Sequence, residues 1–144
     1  MIEKRAVAAL GDGDGPPPLG VRAGRLVVFS ATGADAHLSG PVASRELPPT
    51  FEAQARQSFA NLGAALAAAD LGWSDAIKMT VVLKSREDYA QLNAIRAELF
   101  AEEPIASTTF IAELPRAETL IEVELWALAP GDGPADSAAS AGAG

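Results

Sequence analysis

The chain has 144 residues, 49% of them hydrophobic and 21% charged, with 19 acidic against 11 basic residues and a net charge of −8. That length supports one ordinary core and is short for two domains. The absence of cysteine excludes disulfides, thiolate catalysis and cysteine-held metals, and a single histidine, His37, leaves no histidine-based metal site.

The basic residues are scattered rather than gathered into a stripe, which argues against a phosphate backbone as partner. The acidity reads first as a solubility device. No apolar stretch approaches the roughly 20 residues of a membrane span. The longest, Phe59 to Leu71, is alanine-rich and broken by Asn61, Gly63 and Asp70. Glu3, Lys4 and Arg5 are followed by no apolar block of secretory length, so a soluble, cytoplasmic protein is expected.

In chain order, Gly11 to Gly20 holds two Gly-Asp pairs and the prolines Pro16 to Pro18, the composition of a stiff extended loop. The Gly11 to Gly15 part lacks the Lys-Ser/Thr ending of a phosphate loop. Leu26 to Ser30 is a short apolar run preceded by Gly24 and Arg25, and Ala31 to Gly40 is broken by Gly33 and Gly40, which suggests a hairpin of short strands. After Pro48 and Pro49, the residues Phe51, Ala55, Phe59, Leu62, Leu66 and Ala69 recur at helical spacing until Leu71-Gly72. Ile77, Met79, Val81 and Leu83 alternate with Lys78, Thr80, Val82 and Lys84, which predicts a strand. Ser85 with Asp88 three residues on resembles a capping box, opening a helix that carries Tyr89, Leu92, Ile95 and Leu99 on one face. Two strands close the fold, Ile105 to Ala112 and Leu120 to Ala129, around the turn signal Leu114-Pro115-Arg116. From Pro130 the chain lacks large apolar side chains, so residues 1–130 are read as one domain and 131–144 as a disordered tail.

This order predicts an α+β fold, with two amphipathic helices side by side on one face of a mixed sheet. In the last strand, Ile121, Val123, Leu125 and Ala127 point one way, and Leu120, Glu122, Glu124, Trp126 and Leu128 the other. The second set is too apolar for solvent and too charged for a core, which suggests a subunit interface with polar pockets.

Glu122 and Glu124 project from one face with Cα atoms about 6.6–7 Å apart. They can do acid–base work if burial raises a pKa, or make salt bridges across an interface. Ser30, at a strand end followed by Ala31, can present a hydroxyl to a ligand or serve as a turn residue. Asn93 sits mid-helix, where asparagine is a poor helix former, and bonds either a neighbouring loop or a ligand. Ser107, Thr108 and Thr109 read as β-propensity with optional hydroxyl donors.

Taken together, Gly24-Arg25-Leu26-Val27-Val28-Phe29-Ser30, Gln54-Ala55-Arg56-Gln57-Ser58 with Asn61, Lys78-Met79-Thr80-Val81, Asn93 after Tyr89, and Pro104…Leu114-Pro115…Ile121-Glu122-Val123-Glu124 resemble the RidA (YjgF) family. The resemblance runs from about Gly15 to Ala129. It implies a chorismate-mutase-like homotrimer with helices outside, a sheet-lined centre and three small-molecule clefts between neighbouring subunits, with no cofactor, metal, nucleic acid or membrane. Deaminating members hydrolyse enamines and imines such as 2-aminoacrylate to the keto acid and ammonia, anchoring the carboxylate with an arginine in a Pro-x-Arg-Ser pattern. Here that pattern reads Pro104-Ile105-Ala106-Ser107. The family's Gly-Pro-Tyr becomes Gly15-Pro16-Pro17, and a frequent cysteine becomes Thr108.

Ser30, Asn93 and Glu122 match, and the resemblance gives Glu122 the role of positioning or activating water. The substrate-binding candidates are thus Ser30, Asn93, Ala106, Thr108, Pro17, Ala31 and Glu124, with Glu122 catalytic. Loss of the cation disfavours small anionic imines and favours a neutral or cationic ligand. Three readings follow: an imine- or enamine-processing enzyme of altered specificity, a binding or regulatory module without turnover, and a deaminase anchored elsewhere, with Arg22, Arg25 or Arg116 as substitutes.

Overall fold

The computed structural model describes residues 1–7 and 20–131. The expected loop at Gly11 to Gly20, Pro17 included, lies outside the described residues except for Gly20, and so does the expected tail beyond Gly131. The elements are β1 (Lys4–Val7), β2 (Gly20–Ala23), β3 (Leu26–Thr32), α1 (Phe51–Ala68), β4 (Ala76–Leu83), α2 (Tyr89–Phe100), β5 (Ala106–Ile111) and β6 (Ile121–Leu128). They form one mixed sheet in the order β1-β2-β3-β6-β4-β5. All neighbours are antiparallel except β4 and β5. A parallel pair needs a crossover, and α2 supplies it.

Helix α1 starts where Thr50, in extended conformation, accepts a hydrogen bond on Oγ1 from Ala53 N at 3.2 Å. It stops in a Schellman arrangement: Asp70 takes φ 58° and Leu71 N donates to Leu66 O at 2.9 Å. Its buried stripe of Phe51, Ala55, Phe59, Leu62, Ala65 and Leu66 meets Val27 and Phe29 of β3, Met79, Val81 and Leu83 of β4, and the inward set of β6. Each such large apolar side chain stabilises the fold by about 1.5–3 kcal/mol when fully buried. An edge-to-face pair of Phe59 and Phe100, centroids 5.2 Å apart, joins the two helices, and Trp73 packs against Phe100 with centroids 4.5 Å apart and the rings tilted by 51°. The α+β reading, the mixed sheet, the helices on one face and the phase of β6 all agree with the sequence.

Three local expectations are corrected. The hairpin is not in Ala31 to Gly40 but ahead of it, between β2 and β3, where Gly24 turns the chain at φ 60°. Residues 33–40 form turns instead, because the Asn61 amide on α1 donates to the carbonyls of Gly33 (2.9 Å) and Ala34 (3.2 Å), satisfying groups that a strand would have paired. In β4 the register shifts between Ala76 and Lys78, so Ala76 takes the inward place and Ile77 is 42% exposed. Ser85 caps a 3-10 turn, accepting from Glu87 N at 3.2 Å, before α2 begins at Tyr89. Only Leu92 and Ile95 of the expected stripe are buried there, with Tyr89 and Leu99 exposed. Strand β1, with no buried alternation, was not foreseen.

Candidate functional site

The face of the sheet away from the helices can be laid out from strand pairing. Cα partners place Val28, Trp126, Lys78 and Ala106 in one row across β3, β6, β4 and β5. In the next row, Glu124 stands beside Thr80, which stands beside Thr108. Opposite Glu124, β3 spends two residues, Ser30 and Ala31, because pairing passes from Phe29–Leu125 directly to Thr32–Val123. Both residues of this β-bulge are exposed. Glu122 lies one row further, beside Val82 and, through it, Phe110.

Glu122 is half-buried. Burial pushes its carboxyl above the usual carboxylate range, and the negative charge of Asp35 pushes in the same direction. The Gly33 to Asp35 turn sits against it: a Cβ added at Gly33 would lie 3.7 Å from Glu122 Cγ and 3.2 Å from Asp35 Oδ1. Asn61 fixes that turn from behind. Asp35 is in turn held by Arg116 Nη1 at 3.2 Å and Arg45 Nη1 at 3.8 Å, while Arg116 Nη2 donates to Arg45 O at 2.8 Å. A carboxyl whose pKa is raised in this way is better suited to accepting and returning a proton than an ordinary surface carboxylate.

The fold thus gathers Glu122, Glu124, Ser30, Ala31, Ala106 and Thr108 on one face. It does not gather Asn93, which lies on α2 on the helix-covered side and lines a cavity of about 280 Å³ with Met79, Arg96, Phe100 and Ser107. The Ser107 hydroxyl there is buried without a hydrogen-bond partner among the described residues. Pro17 lies outside the described residues. His37 is exposed in a turn, and no cluster of acids and His able to hold a metal occurs among the described residues. No helix among them is long and apolar enough to cross a membrane.

Sequence reasoning missed the supports of the site. Asp35, Arg45 and Arg116 meet only through the fold. Lys78 was legible as the cationic member of the outward set of β4, and only the β4–β6 and β4–β5 registers put it beside Trp126 and Ala106.

The protein-family model described as Endoribonuclease L-PSP matches residues 19–129. A 2-iminobutanoate/2-iminopropanoate deaminase of Escherichia coli is 34% identical over 114 residues, covering 76% of this chain and 84% of that protein. A RutC family protein of Synechocystis is 41% identical over 81 residues, which span 55% of this chain and 62% of that protein's length. The crystal structure of the Escherichia coli YjgF gene product superposes with a TM-score of 0.72 at 29% identity, covering 86% of this chain and 98% of that one. The family match spans β2 to β6 with both helices, and the chain belongs to the RidA (YjgF) family.

Proposed function

We propose that the chain forms a homotrimer whose inter-subunit clefts, floored by the open sheet face, hydrolyse an imine or enamine to a carbonyl compound and ammonia, with a specificity altered from that of arginine-bearing relatives. The half-buried carboxyl of Glu122, raised by its surroundings and standing on the face that carries the Ser30–Ala31 bulge, is the observation that carries this reading. Several relatives bear deaminase names. An open face holding Trp126 at 41% exposure, Leu128 and Phe110 beside two carboxylates is suited to burial against a second copy.

In the proposed step, ionised Glu122 takes a proton from water as its oxygen attacks the imine carbon, giving a carbinolamine. Return of that proton to nitrogen completes the neutral carbinolamine; Glu122 then takes the carbinolamine hydroxyl proton and passes it to nitrogen, so that the C–N bond breaks, ammonia leaves and the C=O bond forms, one water being consumed for each ammonia released. An enamine must first take a proton on carbon to reach the same imine. Ser30 and Thr108 supply hydroxyls to orient the ligand. The net charge of −8 and the carboxylates of the face speak against RNA as substrate.

Ala106, where the family pattern has arginine, supports a second reading, in which the cleft binds a small molecule without turnover. A Glu122→Gln variant separates the two. The enzyme reading expects ammonia release from in situ imines to fall about a hundredfold or more with the assembly intact; unchanged release in a correctly assembled variant overturns it.

A further inference from the structure

We infer that Lys78, with the Thr108 hydroxyl, forms an anion anchor on the open face, so that the ligand of this cleft carries a carboxylate or an equivalent small anionic group. The inference rests on the cleft reading above, deepens it, and replaces the expectation of a neutral or cationic ligand that loss of the arginine suggested.

Within the strand spans of β3, β6, β4 and β5, Lys78 is the one cationic residue. Its Cα partner on β6 is Trp126 and on β5 is Ala106, so its side chain stands between an aromatic ring and a methyl group, on the face shared by Glu124 and Thr80. It is half-buried, and none of the ion pairs among the described residues includes it. Its Nζ donates to Thr108 Oγ1 at 2.5 Å. An ammonium has three protons and accepts nothing, so this bond leaves two donors. It also occupies a lone pair of the Thr108 hydroxyl, which leaves the hydroxyl proton free to donate. Two donors of different type, spaced by one short hydrogen bond, therefore stand together on the open face, where the position of Ala106 beside Lys78 carries only a methyl group. A half-buried cation without a paired acid is costly unless an anion completes it.

None of the three arginines that sequence reasoning offers as substitutes lies on β3, β6, β4 or β5: Arg22 is on β2 opposite Val27, Arg25 is in the β2–β3 turn and Arg116 is in the β5–β6 connection. Arg22 Nε donates to Gly24 O at 2.9 Å and Arg25 Nε to Ala129 O at 2.8 Å. Arg116 is bound to Asp35 and to the Arg45 carbonyl. A lysine differs from an arginine in offering a compact point charge rather than a planar fork. The anchor thus recognises negative charge with looser control of its orientation, which is one physical source of altered specificity.

Calorimetric titration of the whole protein with 2-oxobutanoate, the stable carbonyl counterpart of an imino acid, and with the uncharged 2-oxobutanamide tests this. The acid is expected to bind at least about tenfold more tightly than the amide. Lys78→Met should abolish that preference, Lys78→Arg should retain it, and Thr108→Val should reduce it severalfold. A wild-type protein that does not prefer the acid, or a preference that survives in Lys78→Met, overturns the anchor. Should Lys78→Met fail to assemble, Lys78→Gln takes its place, with wild-type acid preference and the Thr108→Val response still to be met. Glu122→Gln is expected to bind the acid no more weakly than wild type whatever happens to turnover, so failure of the anchor and failure of the catalytic reading appear in different variants.

Discussion

On β6 the inward residues Ile121, Val123, Leu125 and Ala127 are fully buried, while their neighbours Glu122 and Glu124 are half-buried and Trp126 and Leu128 exposed. The two faces of one strand thus answer to different partners. The inward face is completed within the chain, by α1 and α2, and every position on it is apolar. The outward face of β6 carries acidic and aromatic groups, and that of β4 beside it the cationic Lys78 and the hydroxyl of Thr80, none of which a monomer needs for its core. Stability is concentrated on the first face, and the proposed function places the chemistry on the second.

The contrast is sharpest if each face is damaged in turn. Leu125→Ala removes a fully buried side chain from the centre of the core and should cost about 2–5 kcal/mol in urea denaturation. Trp126→Ser, one residue on, should leave the far-ultraviolet circular dichroism unchanged and instead move the assembly toward monomer on dilution, read by sedimentation velocity. Comparable loss of subunit folding from both variants would break the distinction between the faces.

A smaller effect concerns Asp35. After burial, its negative charge is the second cause of the raised Glu122 pKa, so Asp35→Asn should move the acid limb of the pH–rate profile to lower pH. An unmoved limb would show that Asp35 does not communicate with the site.

The smallest effect is on stability. A carboxyl whose folded pKa is raised binds its proton more tightly folded than unfolded, so its contribution is favourable at low pH and is lost as pH rises through the folded value. Glu122 follows this sign. Glu122→Gln should therefore stabilise the protein at pH 7, by less than about 1 kcal/mol given its partial solvation, with the gain gone near pH 4. A destabilised variant at pH 7 would contradict the assignment of burial as the main cause of the shift.

The inward face was legible because burial by elements of the same chain writes a period into the sequence. The spacing of Phe51 to Leu66 gave α1, and Ile121 to Ala127 gave the phase of β6. Where the period breaks, a local device absorbs it. Ile77 falls at a register shift, and Tyr89 follows a 3-10 turn that rotates the expected helix face. The turn at residues 33–35 was misread because its backbone is satisfied by Asn61, a side chain 27–28 residues away. The candidate site was legible at Glu122, Glu124 and Ser30. The β3–β6 bulge, the Asp35 cluster and the Lys78–Thr108 bond were not, since each depends on strand pairing between distant segments. Asn93 stood in the right helix and lies across the sheet from the carboxylates.

The most direct test of the central claim is ammonia release from 2-iminopropanoate and 2-iminobutanoate, generated in situ, by the wild-type protein and by Glu122→Gln, each compared with the spontaneous rate. Acceleration by the wild type that falls to near the spontaneous rate in an equally assembled Glu122→Gln protein is the predicted result. Acceleration that survives the substitution, or its absence in the wild type, would contradict the assignment of imine hydrolysis to the open face.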